Sequence, residues 1–156
     1  MEIFMSYLLA QDTIDGKAGK VTTTINGLVT EHAEIKNITA KIDKKKVEIK
    51  TLGQLASQHK AAGWKGTGNV SFYYVTSAWA KMMIDYCKSN KDVYFDMSIV
   101  NDDKGSDAGS QRILLKECNI DSVEISKLNT DSDFLDTNFN FTFSGVELLK
   151  GFNKLS

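Results

Sequence analysis

Between Gly63 and Gly68 the chain reads GWKGTG, three glycines in six residues. Glycines that close can cradle a phosphate, but only with a strand before them and a helix directly behind, so that backbone N–H groups face the anion. Here a polar stretch precedes them and the strand-like GNVSFYYV follows. The spacing matches neither the dinucleotide pattern nor the P-loop. The glycines read instead as a turn or bulge of positive φ where the chain enters a sheet.

The other reactive residue types are sparse. The chain has two histidines, His32 and His59, too few for a multi-histidine metal site or a histidine relay. NDDKGSDAGS, residues 101–110, is acidic and contains glycine. It lacks the EF-hand order of ligands and reads as a solvated hairpin loop. The two cysteines, Cys87 and Cys118, form no disulfide framework and suit a reducing compartment. The expectation is a protein that is not an enzyme, with no catalytic residues, cofactor or metal.

Bulk properties agree with a folded chain. It has 156 residues, 42% apolar and 25% charged, enough for one domain with a core. The formal net charge is −1, which does not favour nucleic acid or an anionic membrane. The charge is uneven, with 13 lysines and 10 acids in residues 1–100 against 6 basic residues and 10 acids in 101–156. Patches of opposite sign can bring copies together head to tail. MEIFMSYLLA has neither the basic start nor the apolar run of a signal peptide, and no stretch is long enough to span a bilayer. Proline is absent, which removes one common block to strand addition.

The elements that must position these residues are mostly strands. VTTTINGLVTEHAEI, residues 21–35, places Asn26-Gly27 between two β-rich runs and predicts a hairpin with a type I′ turn. NITAKIDKKKVEIKTL predicts a second hairpin, Ile38 to Leu52, turning at the lysines. Residues 53–67 show no period and predict a long loop, which in a compact domain is usually functional. GNVSFYYV predicts a strand. Trp79, Met82, Met83, Tyr86 and Cys87 then fall on one stripe of an amphipathic helix, Ser77 to Lys88. Its expected packing residues are Trp79, Met83 and Tyr86. DVYFDMSIV, QRILLKECNI, DSVEISKL and FNFTF alternate as further strands. The total is about eight antiparallel strands with one flanking α-helix, a mainly β domain of sandwich or barrel type.

HKAAGWKGTGNVSFYYVTSAWAKMMIDY and KDVYFDMSIVNDDKGSDAGSQRILLKECNIDS together carry a family likeness. The sequence resembles the tail tube proteins of contractile phage tails, as in PBSX-like defective prophages and R-type bacteriocins. The likeness runs from LAQDTIDGKAGK to FTFSGVELL, with residues 1–10 reading as an N-terminal extension. It implies a tail-tube-like barrel or sandwich subunit, made in the bacterial cytoplasm as a virion or tail-particle component. It also implies homohexameric rings whose sheets join, stacked into a tube inside a sheath. The implied partners are the sheath, baseplate and tail-terminator proteins, with tape measure protein or DNA in the lumen and no membrane in the resting state.

Under that likeness the exposed edges and charges become interface candidates. Strand pairing within a ring falls to the two early hairpins, Val21 to Ile35 and Ile38 to Leu52, with Val21, Thr23, Ile25, Leu28 and Thr30 of the first as the candidate residues. Ring-to-ring contact falls to Leu55, His59, Lys60 and Trp64 of the expected loop. Lys44, Lys45 and Lys46 are expected to face Asp102, Asp103 and Asp107, or alternatively Asp131, Asp133 and Asp136. The competing reading is a carbohydrate- or ligand-binding β-sandwich that exposes Trp64 with Tyr73 and Tyr74 as an aromatic row.

Overall fold

The computed structural model describes residues 10–12, 19–53, 55–131 and 133–153. The expected N-terminal extension lies, but for Ala10, outside the described residues. After a 3-10 turn at Ala10–Asp12 the order is β1 (Gly19–Ile25), β2 (Leu28–Glu31), β3 (Ile35–Ile49), β4 (Gln58–Tyr73), α1 (Ala78–Ser89), β5 (Phe95–Asp102), β6 (Ser110–Val123), β7 (Asp136–Phe143) and β8 (Gly145–Lys150). The strands hydrogen-bond in the order β2-β1-β5-β6-β7-β4-β3, with β8 also on β6. The path is open, so the single chain forms a sheet with edges and not a closed barrel. The chain divides into two compact units, and β6 contributes to both.

The first unit comprises the described part of Met1–Ala33 with Phe95–Lys116 and Val146–Ser156. Asn26 and Gly27 have φ of 51° and 83°, as a type I′ turn requires. β1 pairs with β2 on one side and with β5 on the other, from Gly19↔Asn101 to Thr24↔Asp96. The buried side chains here are Val21, Thr23, Phe95, Met97, Ala108 and Leu115.

The second unit comprises Glu34–Tyr94 and Glu117–Gly145. Its core is aromatic. The Trp79 ring lies 4.8 Å from Phe139, and Phe72 lies 5.9 Å from Phe139. Phe139, Phe141 and Phe143 follow one another along one face of β7 at 6.2 and 6.3 Å. Opposite them on β4 stand Gly68, paired with Phe141, and Gly66, paired with Phe143. A Cβ on Gly66 would lie 2.4 Å from the Phe143 ring, and one on Gly68 would lie 2.3 Å from the Phe141 ring. The close glycines therefore make room for aromatic rings. Gly63, at φ 119°, occupies the irregular stretch between the pairs Lys44↔Trp64 and Lys46↔Ala61.

Three expectations are corrected here. The lysine-rich turn and the long loop do not exist as such. β3 runs through Lys44–Lys46, and most of residues 53–67 is the first half of β4, so the two form one long hairpin whose connection holds Gly53 at φ 81°. Three lysines in extended backbone suit an edge strand, where their stems lie along the sheet and their heads reach water. QRILLKECNI and DSVEISKL are also not two strands, because β6 continues from one into the other. Glu117 adopts φ 55° within it, and its register on β7 slips between Ile120 and Ser122. β8, absent from the expectations, follows β7 after Ser144 alone.

The helix packs by its N-terminal half. Trp79 and Ala80 are buried, Met83 is half-buried, and Tyr86 is 41% exposed. Ser77 stands at the N-cap without a side-chain bond, while Thr76 Oγ1 accepts the Ala78 N–H at 3.2 Å. Asn90 ends the helix in the left-handed region, donating its N–H to the Tyr86 carbonyl at 2.8 Å. Trp79→Ala should cost about 3–5 kcal/mol, the range for removing a buried large aromatic, whereas Tyr86→Ala should cost about 0.5 kcal/mol or less. Urea denaturation of both variants checks the difference.

Candidate assembly surfaces

Two strands of the first unit leave an edge open. Among the described residues β2 has only β1 as its neighbour, and it exposes Leu28 at 70% and Val29 at 65%. Thr30 is also exposed. The hairpin register fixes which backbone groups point outward. Ile25↔Leu28 closes the two-residue turn, and Thr23↔Thr30 lies two residues further on. His32 N–H donates to the Val21 carbonyl at 2.9 Å in the same phase. Hydrogen-bonded pairs alternate with non-bonded ones in an antiparallel ladder, so the N–H groups of Val29 and Glu31 face away from β1.

The assignment of Val21, Thr23 and Ile25 to a pairing edge is corrected by the same ladder. β1 is an interior strand, satisfied on both sides, with Val21 and Thr23 buried and Ile25 half-buried. The Thr23 hydroxyl also lies 2.7 Å from His32 Nε2. β8 shows the second open flank, with Val146, Leu148 and Leu149 exposed. There Glu147 accepts a hydrogen bond from Lys116 at 2.7 Å, which holds the Lys116 amine above its ordinary range.

The second unit carries the long hairpin. β7 pairs with β4 only from Gly66 onward, whereas β3 and β4 pair as far as Ile49↔Gln58. The outer part, about Lys44 to Lys65, is thus a two-stranded ribbon. Lys44, Lys45, Lys46, His59 and Lys60 are all exposed, and Leu55 beyond them is fully so. Trp64 at its base is 45% exposed, with its ring 6.2 Å from Phe143. Ribbons of this kind are marginal alone.

The aspartates lie in different places. Asp102 ends β5, and Asp103 and Asp107 belong to the following loop in the first unit. The Asp103 carboxylate accepts the Gly105 N–H at 2.9 Å, and Asp107 N–H donates to the Gln11 carbonyl at 2.8 Å. Asp131 and Asp133 are exposed and belong to the second unit. Among the described residues no group of three or more His, Cys, Asp or Glu side chains could hold a metal, and no helix is long and apolar enough to cross a membrane. The aromatic row needed for carbohydrate is not present. Trp64 and Tyr73 are nine positions apart on β4, which puts them on opposite faces, and the Tyr74 hydroxyl donates to the Ile125 carbonyl at 2.9 Å.

At the far end of β4 from the ribbon, Asp136 accepts a hydrogen bond from Lys36 at 2.8 Å. That bond, with the charge of Lys36, holds the Asp136 carboxyl below its ordinary range and raises the Lys36 amine. Lys36 also lies 5.1 Å over the Tyr73 ring.

Open strand edges, an exposed apolar flank and a two-stranded ribbon define the class: a mainly β protein that leaves strand edges unpaired. The chain belongs to the phage tail tube protein family, whose model matches residues 6–150. It is 38% identical over 141 residues to the phage-like element PBSX protein XkdM of Bacillus subtilis strain 168, covering 90% of this chain and 93% of that one. A subunit in the cryo-EM structure of the anti-feeding prophage baseplate superposes with a TM-score of 0.68 at 9% identity, covering 90% of this chain and 97% of its own. A chain of the PVC extracellular contractile injection system sheath–tube complex superposes at 0.64 with 10% identity, covering 89% of this chain and 93% of its own. At those identities the likeness to the solved structures is one of fold.

The pH dependence of the Lys36–Asp136 pair follows from its directions. The Asp136 share of stability is present above the ordinary aspartate range and is lost as pH falls through the lowered folded value. The Lys36 share is present below the ordinary lysine range and is lost as pH rises through the raised folded value. NMR titration of Asp136 should show a depressed midpoint, and Lys36→Met should move it back up.

Proposed function

We propose that this chain is the structural subunit of the inner tail tube of a contractile phage or phage-like (R-type bacteriocin) tail. Six copies form a ring by strand addition, and rings stack into the conduit or membrane-piercing needle inside the sheath. Family membership carries this reading, and the open edges of β2, β3 and β8 support it. A lone subunit with such edges is exposed to indiscriminate pairing, and closure into a ring of sheets removes the hazard. The partners are further copies of the chain, sheath, baseplate and terminator proteins, with tape measure protein or DNA in the lumen. Assembly takes place in the bacterial cytoplasm.

On β2 the outward backbone groups of Val29 and Glu31 close the ring, and the exposed side chains of Leu28 and Thr30 flank that contact. Tyr86, on the exposed part of α1, is free for a neighbouring subunit or sheath. The ribbon residues Lys44, Lys45, Lys46, Leu55, His59, Lys60 and Trp64 serve stacking between rings.

Negative-stain microscopy of the concentrated protein should show six-fold rings and tubes. A chain that stays monomeric at every concentration would overturn the reading. Val29→Pro removes an outward N–H without breaking a bond to β1, and proline is tolerated on such an edge. It should leave the melting midpoint within a few degrees and abolish rings. Thr30→Pro, which removes an inward N–H, should instead lower the melting midpoint.

A further inference from the structure

The structure assigns the receiving surface for the ribbon: the opposite end of the second unit in another copy, built from Val75, Ile125, Leu128 and Phe134 with Asp131 and Asp133. The inference rests on the tube reading above and names the contact that would stack one ring on the next.

The two surfaces lie at the two ends of β4. Its 16 residues separate them by roughly 50 Å along an extended strand. Each is charged, with opposite sign. Residues 43–65 carry six lysines against two acids, and residues 124–136 carry four acids against one lysine. Each is also apolar where it is exposed. Val47 and Ile49 are 49% and 39% exposed on the ribbon, and Leu55 at its end is fully so. At the other end Val75 is 77% exposed, Ile125 58%, Leu128 93% and Phe134 76%. Large apolar side chains gathered at both ends and bordered by opposite charges match one another as partner surfaces.

The receiving end is held in shape by its own bonds. The Phe134 ring stands edge-on to Tyr73 at 6.4 Å. Tyr74 N–H donates to the Leu135 carbonyl at 2.9 Å, and its hydroxyl reaches the Ile125 carbonyl. Lys127 donates to the Asp136 carbonyl at 2.7 Å. A prearranged surface loses little entropy on docking, which suits it to receive a two-stranded ribbon. Residues 101–109, which hold Asp102, Asp103 and Asp107, contribute no exposed large hydrophobic side chain of their own. A contact between unlike ends of one chain does not pair off as a two-fold dimer, and repeats without limit along an axis.

The test uses the full chain. Lys44→Glu, Lys45→Glu and Lys46→Glu together reverse the ribbon, and Asp131→Lys with Asp133→Lys reverse the receiving end. Each set alone should keep the melting midpoint within a few degrees and cut the sedimenting tube fraction at least tenfold. Both sets in one chain should restore tubes. As a second measurement, carbodiimide joins amine to carboxylate without a spacer. In wild-type tubes it should link Lys44–Lys46 to Asp131 or Asp133, a span that one chain cannot bridge, and mixed isotope labels should show the link between copies. Folded single-set variants that form tubes of normal length, or links from the lysines to Asp102, Asp103 or Asp107 instead, would overturn this contact and leave the tube subunit standing. A wild-type chain that forms no tubes would sink both.

Discussion

The aromatic ladder of β7 is the contact on which the second unit depends. Phe139, Phe141 and Phe143 fill one face, and their neighbours on β4 are glycine at the two positions where the Phe141 and Phe143 rings come closest to the backbone. Glycine weakens a strand through entropy and the missing side chain. Here the neighbouring ring covers the bare backbone and offsets that loss. The helix is held by the same ladder, because Trp79 contacts Phe139 and Phe72. Sheet pairing and helix docking thus share one set of rings, and damage to either is felt by both.

The opposite face of these strands is polar. Asn69 donates to Asn140 at 2.8 Å across the β4–β7 pair, and Thr67 faces Thr142. Alternation along β4 and β7 sets the apolar and polar faces by parity alone. The edges are less governed. Nearly all of β3 is exposed on both faces, so its sequence obeys no inward preference and is free to carry lysines. Such a strand is specified by its partner and not by a core.

That difference decides what could be read from the chain. The Asn26-Gly27 hairpin, the helix and FNFTF are legible because turn chemistry or a buried stripe writes each of them locally. β3 is legible as strand on both sides of its lysines but not as one strand through them, and the first half of β4, exposed on both faces, shows no period of two. β6 hides its continuity behind Glu117, whose left-handed backbone looks like a break. β8 is hidden because one residue, Ser144, separates it from β7. For the surfaces, the charged and aromatic residues are visible in the sequence, but their grouping is not. Val21 and Thr23 resemble an edge until β5, some 75 positions away, is seen to pair with them. The exposure of Val75, Ile125 and Phe134 depends on strand ends meeting, which no local pattern records.

The ribbon has a dynamic consequence. Among the described residues its outer pairs, from Lys46↔Ala61 to Ile49↔Gln58, have no third strand beside them. Opening them exposes none of the Phe72–Trp79–Phe139 cluster, so the ribbon can unzip while the body of the unit stays closed. Local opening then costs far less free energy than global unfolding, and the amides of this segment exchange with solvent through a separate, low-energy route. The second unit thus carries an arm whose outer pairs can open without its aromatic core, and a surface that seats the arm would hold those pairs closed.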